Sequence, residues 1–319
     1  MSGVALCVES TAVAYADRAA VLDGDCLHDY ATLWEAVGLF AAELGAAGIE
    51  PGQRAAIYIG SGYESLLAML AVEHLGAVAV PLDIFEPVEQ TVRTVLATRV
   101  DHLIGHIGDG HLVDELADDP AASGATAVTV ADDYTLIRLW RPRPEPASSG
   151  SGGFAFCLSG GTAALTVGSA GLAAAAGELR ADLAMTAEDV VAVSAPLTSR
   201  AAVVAVLAAV QAGACLSLRR YAGSDPALVA GQLGDDEASV LVCTAPGLAE
   251  LRAVGSHALH TVRVLVLPSA GEAATAAVPT VVTLEPARRH TRLGAPAFRG
   301  SRPARSARRS QVCSCVRED

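Results

Sequence analysis

The chain has 319 residues, a formal net charge of −13, and 52% hydrophobic against 18% charged residues, so it can bury a sizeable core as one large domain or two smaller ones. That composition excludes a chain disordered through most of its length, and no apolar run reaches the roughly 18 uncharged residues of a membrane-spanning helix. All 22 basic residues are arginine, nine of them in 286–319 beside two acids, a local +7 that leaves the rest at −20 and sets the body against nucleic acid.

The opening "MSGVALCVESTAVAYADRAA" carries an A-Y-A tripeptide, but it lacks a basic leader and places Glu9 inside its apolar part. It is therefore not read as a signal peptide, and the expectation is a cytoplasmic protein. "YATLWEAVGLFAAELGAAGI" sets Leu33, Val37, Phe40, Ala41 and Leu44 at helical spacing, with Gly45 and Gly48 to turn the chain out. "RAAIYIG" then predicts a short strand, "YESLLAMLAVEHLGA" a second helix closed by Gly76, and "VAVPL" a strand ended by Pro81. A helix over 87–98 and a strand at "DHLIGHI" follow. Strands alternating with helices over short connections predict a parallel sheet covered on both faces.

Residues 141–153, "RPRPEPASSGSGG", form a link without apolar periodicity. Beyond it the spacing predicts a strand at 154–158 running into a loop of small residues, then a helix over about 171–184. The alternation continues with a strand at 190–194, helix 200–212, strand 214–218, helix 225–234, strand 239–243, helix 246–254 and strand 262–267. The fold class is α/β, with two doubly wound, mainly parallel sheets flanked by helices. The expected division is a first lobe over 1–145, a second over 146–285, and an arginine-rich disordered tail over 286–319.

Four stretches resemble the adenylate-forming, AMP-binding superfamily, which includes acyl-CoA synthetases and the adenylation domains of nonribosomal peptide synthetases. Residues 30–83, from "YATLWEAVG" to "VAVPLD", are similar to its opening; "FAFCLSGGT" is similar to its phosphate loop, usually close to "YTSGTTGxPKG". "TAEDVVAVSAPLTSRAAVVAVLAAVQAGACLSL" and "VRVLVLPSAGEA" are similar to later stretches, in the right order. The family joins ATP to a carboxylic acid, releasing pyrophosphate, and passes the acyl group to a thiol of coenzyme A or of a carrier protein. The resemblance implies ATP and Mg2+ as cofactors if the chain is active. It puts Ser159, Gly160, Gly161 and Thr162 on the phosphate loop, and Ala270, Gly271 and Glu272 on an adenine and acyl-pocket wall.

The departures are specific. The loop's next glycine falls on Ala163, its proline on Leu165 and its lysine on Thr166. A methyl group at Ala163 disfavours left-handed backbone and crowds a ligand. An aspartate that grips the substrate's amino group falls on Arg200, whose charge repels an ammonium group. No YGxTE stretch follows Glu272, and the chain has no lysine for either of the family's lysine roles. The expectation is a truncated, degenerate member, weak or inactive as this chain, with no catalytic residue assigned. The alternative is a noncatalytic scaffold that binds a synthetase or carrier protein.

"DHLIGHIGDGH" brings His102, His106 and His111 near Asp101 and Asp109. The spacing fits no standard zinc motif, and a strand would hold His102 and His106 about 13 Å apart; no metal site is expected. The seven cysteines include no C-x-x-C pair and read as reduced core thiols. The tail suits an anionic partner, with nucleic acid not favoured and no membrane expected. Its Arg, Pro, Ala and Ser mixture equally suits a read-out from a shifted coding frame.

Overall fold

The computed structural model describes residues 3–60, 62–106, 126–130, 134–139, 152–157, 164–218, 225–255, 259–267 and 280–283. All of these fall in a compact unit, Met1–Pro286; a second unit, Ala287–Asp319, carries the predicted disordered tail and lies outside the described residues.

The described elements are, in chain order, α1 (Gly3–Ala14), β1 (Ala19–Asp23), β2 (Cys26–Asp29), α2 (Tyr30–Ala46), β3 (Arg54–Tyr58), α3 (Tyr63–His74), β4 (Val78–Pro81), α4 (Val88–Ala97) and β5 (His102–His106). They continue with β6 (Thr126–Val130), β7 (Tyr134–Arg138), β8 (Gly153–Cys157), β9 (Ala164–Gly168), α5 (Ser169–Asp182) and β10 (Val190–Val193). The series ends with α6 (Arg200–Ala212), β11 (Cys215–Ser217), α7 (Pro226–Asp235), β12 (Val240–Val242), α8 (Ala245–Val254), β13 (Val264–Leu267) and β14 (Thr280–Thr283).

Among the described residues there are two sheets of seven strands each: sheet I in the order β6-β7-β5-β3-β4-β8-β9, and sheet II in the order β14-β13-β12-β10-β11-β1-β2. The inner strands are parallel: β5, β3, β4 and β8 in one, and β13, β12, β10, β11 and β1 in the other. The sheets are not laid down by the consecutive stretches 1–145 and 146–285. The β1–β2 hairpin joins sheet II through Val21↔Leu216, and β8 returns past the proline-rich link to pair with β4 of sheet I.

Side-chain alternation builds the layers. Along β3, Ala55 and Ile57 join a core shared by both sheets, while Ala56 and Tyr58 face a separate outer core with Val80 and Val95 under α4. Along β10, Val191 and Val193 turn to the shared core, and Ala192 turns outward to Leu233 and Leu251 of α7 and α8. Helices α1, α2, α3, α5 and α6 fill the space between, contributing Val8, Leu33, Leu66, Leu172 and Val206 to the shared core. Helix α6 is buried on every side from Ala201 to Val210, which fits an apolar helix without a polar stripe. Its exit is Gly213, at φ 71°, where an added Cβ would lie 2.6 Å from the ring of Tyr15.

The apolar α1 is fixed from a distance. The Val4 amide donates to Ser169 Oγ at 2.7 Å, and the Ala5 amide to the buried Glu73 carboxylate at 3.1 Å. Two first-turn N–H groups are thus satisfied by α5 and α3. At the amino edge of sheet II, Asp189 is gripped by Arg263 at 2.8 Å, by Ser239 Oγ at 2.7 Å and by the Thr186 amide at 2.8 Å.

Candidate functional site

Doubly wound sheets open ligand crevices outside the carboxyl ends of their strands, where the direction of winding reverses. In sheet II the chain leaves β10 for β11 on one side and later returns to β12 on the other, so the reversal lies between β10 and β12. In sheet I it lies between β3 and β5, with β4 on the far side of β3.

At the first reversal, the Ser194 and Ala195 amides both donate to the Val242 carbonyl, at 2.8 and 3.0 Å, tying the ends of β10 and β12 together. Helix α6 then opens after Ser199, which makes no side-chain capping bond, and its first residue is the half-buried Arg200. Arg200 Nε is sealed from solvent without a hydrogen-bond partner. Among the described residues Arg200 forms no ion pair.

At the second reversal, α3 begins after Gly62, which has no side chain with which to cap it. Asp23, at the end of β1, supplies the acceptor for the Tyr63 amide at 3.2 Å. The Tyr63 ring lies flat on His28, with centroids 3.9 Å apart and planes within 5°. Burial pushes the Tyr63 phenol up to about 12. Burial also lowers the His28 pKa, against the opposing pull of Asp23 and Asp29. Beside them Glu64 pairs with His106 at 3.3 Å, and His106 stacks on Tyr134 at 5.3 Å.

The predicted phosphate loop connects β8 to β9. These strands run antiparallel with Cys157 opposite Ala164, and the connecting residues 158–163, with Ser159, Gly160, Gly161 and Thr162, lie outside the described residues. Thr166 is on β9 opposite Ala155, and its hydroxyl accepts from Arg54 Nη2 at 3.1 Å. Ala270, Gly271 and Glu272 follow β13, also outside the described residues. Of the predicted site residues, Thr166 and Arg200 are therefore the two whose places are described. Sequence reasoning passes over Arg54, Asp23 and Tyr63, which act through partners far along the chain and leave no local signal.

His102 is buried, with Nε2 2.8 Å from Gln53 Oε1, so this histidine is hydrogen-bonded within the fold; His111 and Asp109 lie outside the described residues. Among the described residues no group of three or more His, Cys, Asp or Glu side chains could hold a metal ion, and no helix is long and apolar enough to cross a membrane. Burial pushes the thiols of Cys157 and Cys215 up to about 11 and that of Cys243 to about 12.

Two helix-flanked sheets with these reversals form the architecture of the amino-terminal domain of adenylate-forming enzymes. Residues 8–150 match the family model of AMP-binding enzymes. Fumosorinone synthetase of Cordyceps fumosorosea is 38% identical over 78 residues, 24% of this chain and 2% of that one. The hybrid PKS-NRPS synthetase iliA of a Neonectria species is 31% identical over 105 residues, 33% of this chain and 3% of that one. In fold, an artificially fused adenylation-PCP di-domain, NpsA-ThdA, of Klebsiella oxytoca superposes with a TM-score of 0.64 at 18% identity, over 82% of this chain and 47% of that one. A protein described as a long-chain-fatty-acid CoA ligase of Rhodopseudomonas palustris gives 0.67 at 18% identity, over 81% and 67%. The chain thus spans a few per cent of the curated relatives' length and about half of the di-domain's.

Proposed function

We propose that this chain binds ATP and a carboxylic acid as the nucleotide-binding part of an acid-activating synthetase. The reaction joins the acid's carboxylate oxygen to the α-phosphorus, breaks the bond to the β-phosphate oxygen and releases pyrophosphate. A thiol, of coenzyme A or of a carrier protein, then displaces AMP from the acyl carbon. The observation that carries this reading is the β8–β9 hairpin. It rests against the parallel strand β4, and the segment 158–163 that joins β8 to β9 in the sequence contains Ser159, Gly160, Gly161 and Thr162, a composition whose hydroxyls and backbone N–H groups suit phosphate oxygens.

Turnover by this chain is weak or absent. Phosphate departure needs cationic groups, and at the family's lysine position stands Thr166, whose hydroxyl is engaged by Arg54. The carrier-protein partner draws support from the PCP of the fused di-domain and from the synthetase relatives. A second, noncatalytic reading as a scaffold for a synthetase or carrier protein is favoured by α1, where Leu6 is 47% and Val13 81% exposed, since grouped exposed apolar side chains mark partner surfaces.

ATP binding by calorimetry, followed by ATP–pyrophosphate exchange with a panel of aryl, fatty and amino acids, tests the proposal. Measurable ATP binding with faint or no exchange is expected. Robust exchange with any acid refutes the weak-turnover reading. Failure to bind ATP refutes the nucleotide reading and leaves the scaffold.

A further inference from the structure

We propose that Arg200 is an anion-binding residue that takes an oxyanion of a small ligand, a carboxylate or a phosphate, at the crevice between the carboxyl ends of β10 and β12. A half-buried guanidinium normally recovers its lost hydration from an acceptor, because an unpaired donor sealed from water costs free energy. Arg200 has lost that hydration at Nε and gained no acceptor. Three other arginines around the two sheets are engaged: Arg54 with the Thr98 carbonyl and Thr166, Arg18 with Glu188, and Arg263 with Asp189 and the Leu183 carbonyl. Among the described residues Arg200 differs from these three in having no acceptor while its Nε is sealed from solvent, and it opens α6, the helix that follows β10 at the reversal.

The electrostatics point the same way. Arg200 opens a helix whose first turn holds no acid. A cation at that end opposes the helix dipole, an unfavourable placement that a bound anion reverses. The carboxyl ends of β10 and β12 are tied together by the Ser194 and Ala195 amides on Val242, which suits a site formed before its ligand arrives.

The ligand's role depends on the acid-activating reading, whereas the site's existence does not. If the carboxylate source is right, the activated acid is one with a second anionic group.

The test uses the whole chain, with inorganic phosphate, pyrophosphate and glutarate as probes in a low-salt buffer, read by calorimetry and by thermal melting. Wild type is expected to bind at least one probe and to melt higher in its presence. Arg200→Met is expected to weaken that binding about tenfold or more, as loss of a charge-assisted hydrogen bond does, and Arg200→Lys to recover part of it. Because no acceptor is orphaned, the Arg200→Met protein without probe is expected to melt at or above the wild-type temperature. A structural arginine would give the opposite. Preference for glutarate assigns the site to the acid, and preference for the phosphates assigns it to the nucleotide. Equal binding by wild type and Arg200→Met, no binding of any probe by wild type, or a lower melting temperature for unliganded Arg200→Met overturns the proposal. A chain that binds a probe through Arg200 yet shows no ATP binding defeats the nucleotide reading alone.

Discussion

The guanidinium of Arg54 donates to the hydroxyl of Thr166 at 3.1 Å and to the Thr98 carbonyl at 2.6 Å. It thereby joins β3 to β9, strands separated in sheet I by β4 and β8. Besides its pairing with β8, β9 is tied by one side chain rooted near the middle of the sheet. Replacing Arg54 by Ala is expected to cost about 1–2 kcal/mol and to speed amide exchange in 164–168 more than in 190–193. Thr166→Val leaves the Thr98 bond intact and is expected to cost less. Equal effects of the two changes, measured by urea unfolding and exchange mass spectrometry, would contradict a strap.

Acid sensitivity is expected to centre on Asp189. Burial pushes its pKa up, but the hydrogen bonds from Arg263, the Thr186 amide and Ser239 outweigh this and hold it below the ordinary carboxylate value. The unfolded chain therefore binds more protons than the folded one as pH falls through about 4, and the stabilisation present above that pH is lost below it. Asp189→Asn is expected to lower stability at pH 7 by about 2 kcal/mol and to flatten this acid limb. An unchanged limb in stability against pH would show that other carboxylates carry it.

Gly213→Ala meets two obstacles at once, a left-handed backbone at φ 71° and the Tyr15 ring 2.6 Å from the new Cβ. A loss of about 1–3 kcal/mol is expected. Combining it with Tyr15→Ala removes the clash but keeps the backbone strain, so the double change is expected to cost less than the sum. Additivity in thermal melts would show that the ring gives way freely.

The thiols of Cys157 and Cys215, with pKa values raised to about 11 from 9.0, expose about a hundredfold less thiolate near neutral pH than an ordinary cysteine. Native-state alkylation at these positions, followed by peptide mass spectrometry, is expected to be slower by that factor and to recover on unfolding. Rapid labelling of Cys157 in the folded chain would contradict its burial.

The helices were the most legible part of the fold, because their apolar spacing survives whatever they pack against. Leu33, Val37, Phe40, Ala41 and Leu44 all reach the shared core from α2. Helix α1 was less legible: its buried Val4, Ala5, Val8 and Ala12 are mixed with exposed apolar Leu6 and Val13, and its amino end is closed by Ser169 and Glu73 from elsewhere in the chain. The stretch after Cys157 reads as loop in sequence because its residues are small, and pairing with β8 makes Ala164–Gly168 a strand. Strand order was hidden for a related reason: Val21 meets Leu216 only through tertiary structure. At the candidate site, the reversed charge at Arg200 was visible as a single letter. The Asp23 contact with the Tyr63 amide, joining residues 40 apart, was not.

The β1–β2 hairpin has a further consequence for how the chain is made. Its partner strand, Cys215–Ser217, leaves the ribosome nearly two hundred residues later, so the hairpin must wait with an open edge while the other sheet assembles. Premature pairing of that edge with a second nascent chain is the hazard this topology creates, and slowing translation between the two segments would lengthen the exposure.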